Sequence, residues 1–153
     1  MTLTLPCLSL RQPWAHLVVH RGKDIENRRW NTRHRGTFLI HAAKGMTRAE
    51  YDGAVAWSVE TAGLDRLLSA PFWDQLERGG IIGAASIVDV IPPGPSSRKW
   101  HMKEQFGFDL RKVTPLPFRP LKGALGFFKV EITREEEQAL RAAGLRLPRP
   151  GDP

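Results

Sequence analysis

Lys23, Glu26 and Arg28 are the side chains whose types and spacing best suit chemistry. On an extended strand alternate residues share a face, so Asp24, Glu26 and Arg28 point one way. Lys23 joins them only if the chain bends after Gly22, which glycine permits. A lysine, a carboxylate and an arginine gathered in one groove can bind a phosphate or polarise an amide. Strung along an open strand they form a surface ion-pair ladder of little energetic consequence. Spacing alone fits both arrangements.

Three more residues precede them. The planar guanidinium of Arg11 can clamp a phosphate at two points. The Gln12 amide can read a base edge, and the Trp14 ring can stack on a base. Trp14 fits equally well as core, because Leu17 and Val18 follow it at helical spacing. After the triad, Arg28, Arg29, Trp30, Arg33, His34 and Arg35 interleave cations with an aromatic ring. A surface that tracks a phosphate backbone and stacks bases needs this composition; a solvated basic turn with Trp30 tucked into the core has it too. His41 alternates with Ile40 and either faces a cleft or is structural, and Lys44 follows before the Gly45 turn. No other His, Cys or Asp sits at ligand spacing with His41, so neither a metal nor a cofactor is expected. The run Arg98-Lys99-Trp100-His101-Met102-Lys103 follows a proline-rich stretch and reads as a closing loop or as an ordered surface excursion. No serine–histidine–acid order, phosphate-cradling glycine loop or zinc spacing points to another enzyme class.

Charge distribution sharpens the picture. The 153 residues carry a net charge of +7. Residues 1–45 hold eight Lys or Arg against Asp24 and Glu26, or +6 of that total, and four of the five histidines. A concentrated positive field is the footprint of a nucleic-acid partner. The single cysteine, Cys7, excludes an intrachain disulfide and a multi-cysteine zinc site, and suits a buried inert thiol in a reducing compartment. Arg11 and Pro13 interrupt the one apolar stretch near the N-terminus, and no window is long enough to span a bilayer. A cytoplasmic location is therefore expected, with no membrane partner; oligomeric state is not legible.

The elements that must position these groups follow from periodicity and punctuation. Leu3 to Leu10 reads as a strand, and Pro13-Trp14 opens a short helix closed at Gly22. Lys23 to Trp30 reads as a polar strand, 31–36 as a basic turn, and Thr37 to Ala42 as a buried strand. Thr47 with Glu50 forms a capping box that starts a helix running to about Glu60, with Met46 and Tyr51 at staple positions. Residues 65–78 suggest a second helical stretch interrupted by Pro71. Ile81 to Ile91 is the clearest core strand. A loop at 92–97 follows, then strands at Phe106–Val113 and Leu125–Ile132 joined by a proline-broken segment. Thr133 and Glu136 repeat the capping box and start a final helix that ends near Gly144. The expectation is one α+β domain over 1–144 with a flexible tail at 145–153. Its core is a small mixed β-barrel of about five or six strands with helices packed at the openings.

Two stretches carry a family resemblance. Leu8-Ser9-Leu10-Arg11-Gln12-Pro13-Trp14-Ala15, followed by Lys23-x-x-Glu26-x-Arg28, resembles the ASCH (activating signal cointegrator homology) family of the PUA-like superfamily. Trp30, Arg35-Gly36, the Gly83–Asp89 strand and Gly126-Phe127-Phe128 continue it, so that it covers roughly 5–132. The family's signature glycine lies two residues before the lysine; here Arg21 holds that place and Gly22 follows. The resemblance implies a PUA-like barrel with a charged cleft beside the first helix. It implies RNA or another nucleic acid, or a nucleotide-derived ligand, as partner. Some members are nucleases, and some small ones hydrolyse the amide of an acylated cytidine, with threonine where this chain has Glu26.

Two functions therefore stand side by side. One is a binding module using Arg11, Gln12, Trp14, Lys23, Glu26, Arg28, Arg33, Arg35, His41 and Lys44. The other is a small hydrolase acting on an acylated nucleoside amide or an RNA phosphodiester, with Lys23 and Glu26 catalytic. Whether the chain is an enzyme is open at this level.

Overall fold

The computed structural model describes residues 2–63 and 73–149. Apolar alternation along Thr4–Leu10 (β1) sends Leu8 and Leu10 to one face of a sheet and Leu5 and Cys7 to the other. Both faces are covered, so every second position on either side is apolar. Trp14–His20 (α1), with Ala15, Val18 and Val19 inward, closes one face together with Phe38, Ile40, Ile87 and Phe108. Arg134–Ala142 (α3) and the segment after it close the other, over Leu39, Ile81, Ala84 and Val130.

The remaining elements are Ile25–Arg28 (β2), Gly36–Ala42 (β3), Arg48–Ala62 (α2), Gly80–Ile91 (β4), Phe106–Pro120 (β5) and Phe127–Glu131 (β6). One six-stranded sheet runs β2-β5-β4-β3-β1-β6. Only β1 and β3 pair in parallel; the other neighbours are antiparallel. The expected α+β, PUA-like barrel is the fold observed, a curled half-barrel whose edge strands are β2 and β6.

Both capping boxes form as read. Thr47 accepts from the Glu50 amide at 3.1 Å and Thr133 from the Glu136 amide at 3.0 Å, and each glutamate reaches back to its cap. Met46 and Tyr51 share a small cluster with Leu76. The strand expected at 106–113 instead runs to Pro120, through Pro115, Pro117 and Pro120. Prolines survive there because β5 bulges repeatedly against β4, and its pairing with β2 ends at Asp109. Beyond that point one edge of β5 has no strand partner among the described residues, so N–H groups missing on that edge cost no ladder bonds. Most of the second helical stretch expected at 65–78 lies outside the described residues; Trp73–Gln75 is a single 3₁₀ turn. Leu145 and Leu147 are buried, and the Leu145 amide bonds the Leu140 carbonyl around Gly144 at φ +79°, a left-handed helix stop. The packed chain thus continues past Gly144.

Candidate functional site

Lys23, Glu26 and Arg28 are brought together. Gly22 takes φ +76°, and the bend turns Lys23 toward the strand that follows. The Lys23 side chain is 2% exposed and that of Glu26 8%, which removes the surface-ladder reading. Nζ of Lys23 donates to the Ile25 carbonyl, lies 3.9 Å from Oε1 of Glu26 and sits 5.1 Å from the centre of the Trp14 ring. Trp14 meets Trp57 edge-on at 5.5 Å, and Trp57 meets Trp100 at 5.7 Å. Trp14 thus covers the amine and is backed in turn by rings from α2 and the 92–105 loop. Burial holds Lys23 below the usual lysine range, and Glu26 opposes that shift.

Arg28 completes the cluster. Its Nε donates to Oε2 of Glu26 at 2.9 Å and its Nη2 to the Ser9 carbonyl at 2.7 Å. Since β2 is one edge of the sheet and β1 lies next to the other, this pair of bonds stitches the barrel across its open seam. One carboxylate is shared by the Lys23 amine and the Arg28 guanidinium, with Arg28 the part-exposed end of the cluster.

Asp24 does not join Glu26. It pairs with Arg98 at 2.9 Å, and Arg98 also bonds Asp109 at 3.0 Å. Arg11 stands apart as well, held by Glu50 of α2 through contacts of 2.5 and 2.7 Å. That bond pulls the Glu50 carboxyl down to about 2. Gln12 is buried and spent on structure: its amide donates to the Glu77 carbonyl at 2.8 Å and accepts from the His16 amide at 2.9 Å. Gln12 as folded has no free edge to offer a base.

His41 and Lys44 lie on the opposite face of the sheet from α1, at an open pocket of about 720 Å³ shared with Ser9, Lys122 and Leu125. His41 Nε2 meets the Leu121 carbonyl at 2.6 Å. A carbonyl only accepts, so Nε2 carries the proton and Nδ1 the lone pair. The Ser9 hydroxyl, 2.8 Å away, therefore donates to Nδ1. Gly123 packs on this pair so closely that a Cβ there would lie 2.7 Å from the imidazole. Ser9 thus joins the two regions, its carbonyl to Arg28 and its hydroxyl to His41.

The basic turn is solvent-facing. Arg29, Arg33 and Arg35 are exposed. Arg35 donates to the carbonyls of Thr32 and His34 at 3.1 and 3.0 Å. Trp30 is 37% exposed. Its edges meet Phe108 at 5.5 Å and Phe127 at 5.9 Å, and the Arg28 guanidinium lies 5.8 Å from its centre.

The 92–105 loop is tied down. Asn27 donates to the Trp100 carbonyl at 3.0 Å and accepts from the Met102 amide at 2.8 Å. The His101 ring bonds the Gln105 carbonyl at 2.7 Å and packs against Gly107. Of the two readings of this loop, the ordered excursion describes it. Ser9 and Asn27 were not singled out from sequence. Ser9 lies inside the motif, but its partners depend on strand register; Asn27 sits between the charged positions, where a polar residue on a strand gives no distinguishing signal.

The family model described as ASCH domain matches residues 8–141. The chain belongs to the ASCH domain family. It is also 34% identical over 113 residues to "Activating signal cointegrator 1" of Homo sapiens, covering 73% of this chain and 18% of that protein. The Mus musculus protein of the same name is 34% identical over 85 residues, 56% of this chain and 14% of that protein. The matches thus span under a fifth of the length of these curated relatives. Among its described residues this ASCH domain has no helix long and apolar enough to cross a membrane.

Proposed function

We propose that this ASCH domain binds single-stranded nucleic acid, RNA in preference to DNA, at the basic turn and the adjoining seam of the barrel. The supporting observation is Trp30: an aromatic ring braced edge-on by Phe108 and Phe127, more than a third exposed, with the Arg28 guanidinium 5.8 Å from its centre and the exposed Arg29 and Arg33 in the same turn. A braced, part-exposed ring among cations offers a stacking face at low entropic cost, and base–aromatic stacking contributes about 1–3 kcal/mol per base. The Lys23–Glu26–Arg28 cluster adjoins it through Arg28. In this reading Arg28 faces the ligand, while Lys23 sets the field and the shape of the seam from below. Arg11 and Gln12 hold α1 in place, and His41 and Lys44 serve the pocket beyond Ser9.

The test is titration of a fluorescent single-stranded RNA and its DNA counterpart over a salt series, with Trp30→Ala and Arg29→Glu/Arg33→Glu variants. Binding should weaken steeply with salt, and each variant should weaken it for all sequences. Absence of binding by the native domain at low salt would defeat the proposal.

The hydrolase reading draws on one feature, a buried lysine with a lowered proton affinity beside a carboxylate. Nζ of Lys23 is already engaged by the Ile25 carbonyl and roofed by Trp14, so a substrate would have to displace the indole. Turnover of an acylated cytidine abolished by both Lys23→Ala and Glu26→Gln would favour this reading over the first.

A further inference from the structure

A second basic groove lies where β1 and β3 begin. It encloses about 560 Å³, and its walls include Arg35, Lys129, Arg146 and Arg149 with no aspartate or glutamate among the lining residues. One wall is the segment after α3. Leu145 and Leu147 anchor that segment in the core, and the Thr37 hydroxyl donates to the Arg146 carbonyl at 2.6 Å. The Arg146 and Lys129 side chains are exposed, and neither makes an ion pair among the described residues. Lys129 alone would be explained as protection for the edge strand β6. A docked wall that brings further arginines to the same concavity is not explained that way. Arg35 also faces Asp89 at 4.0 Å, which leaves Lys129 and Arg146: with no acid lining the groove beside them they repel, and an anion entering relieves that repulsion.

The groove is continuous with the basic turn, because His34 and Arg35 belong to both. We propose that it carries the sugar–phosphate backbone of the strand whose base stacks on Trp30, so that the strand runs from the turn along the start of β1 toward Arg146. This rests on the nucleic-acid reading above and adds a path and a length to it. The contacts are to phosphates, so the groove lengthens the footprint without adding sequence preference.

Single-stranded RNAs of 4 and 12 nucleotides, titrated against the native domain, Lys129→Glu/Arg146→Glu and Arg29→Glu/Arg33→Glu, test it. Superimposable thermal melts check that the variants, all at exposed positions, remain folded. The groove variant should bind the tetramer like the native domain and the dodecamer more weakly. Its log–log salt slope for the dodecamer should be shallower by about 1.4, two phosphate contacts at about 0.7 each. The turn variant should lose both lengths. If the groove variant matches the native domain on the dodecamer in affinity and slope, the groove proposal is overturned while the turn reading stands. If the native domain binds neither length, the turn reading itself has failed. If poly-glutamate fills the groove as tightly as the dodecamer, and loses affinity equally in the groove variant, the groove serves acidic peptides and the proposed path is wrong.

Discussion

Glu26→Gln is the most telling single substitution. The glutamine keeps the shape of the side chain and removes the one anion that two cations share, Lys23 at 3.9 Å and Arg28 at 2.9 Å. Lys23 is almost fully buried, so its charge is left without a partner. Removing one member of a buried pair typically costs about 3–5 kcal/mol. For a chain of this size that is a fall in Tm of roughly 6–20 °C, at about 2–4 °C per kcal/mol. Lys23→Met should behave differently, because Glu26 keeps Arg28; its effect should be within about 1 kcal/mol of native, of either sign. The double variant Lys23→Met/Glu26→Gln should then be less damaged than Glu26→Gln alone, with a coupling on the order of 1–3 kcal/mol. Urea unfolding of the four proteins measures this. Burial depresses the Lys23 proton affinity in the folded state, so the unfolded chain binds more protons as pH rises toward the ordinary lysine range. Stability should therefore climb with pH over that window, and Lys23→Met should flatten the climb. A Glu26→Gln variant within about 0.5 kcal/mol of native, or effects that simply add, would refute the picture of one shared counter-ion.

Cys7 is buried with its thiol pushed up to about 12, so at pH 8 an aromatic disulfide reagent should leave the folded protein unmodified and react with one thiol per chain in urea. Asn27→Ala removes both bonds that latch the 92–105 loop; at about 1 kcal/mol per bond, it should speed tryptic cleavage after Arg98, Lys99 or Lys103 well beyond any change in global stability. Arg11 holds the Glu50 carboxyl down to about 2, so their pair contributes above the unfolded glutamate's range and is lost as pH falls toward 2; Arg11→Ala should flatten that acid limb by less than about 1 kcal/mol, because the pair is exposed.

Much of this was readable from local sequence. Both capping boxes need only residues three apart, and the bend that brings Lys23 to Glu26 needs only Gly22. Burial of Lys23 was not readable, since the Trp14 ring that covers it is backed by Trp57 and Trp100 from distant segments. Arg11 looked free because Glu50 lies 39 residues away. The Ser9–His41 bond depends on parallel register between β1 and β3, which no spacing reveals. The long β5 was hidden by its prolines, whose tolerance rests on which sheet edges are vacant. The groove at Arg146 escaped notice because a polar C-terminal stretch reads as tail until Leu145 and Leu147 are seen to dock.

The strand that carries Glu26 and Arg28 has a single neighbour in the sheet, β5, and that partner arrives some eighty residues later in the chain. Although every member of the triad is encoded in the first thirty positions, an amino-terminal fragment ending before Phe106 lacks the strand on which β2 forms its ladder. During synthesis the triad therefore takes shape only once most of the polypeptide has emerged. Pairing over so long a separation is intrinsically slow, so the binding surface should be among the last parts of the molecule to mature.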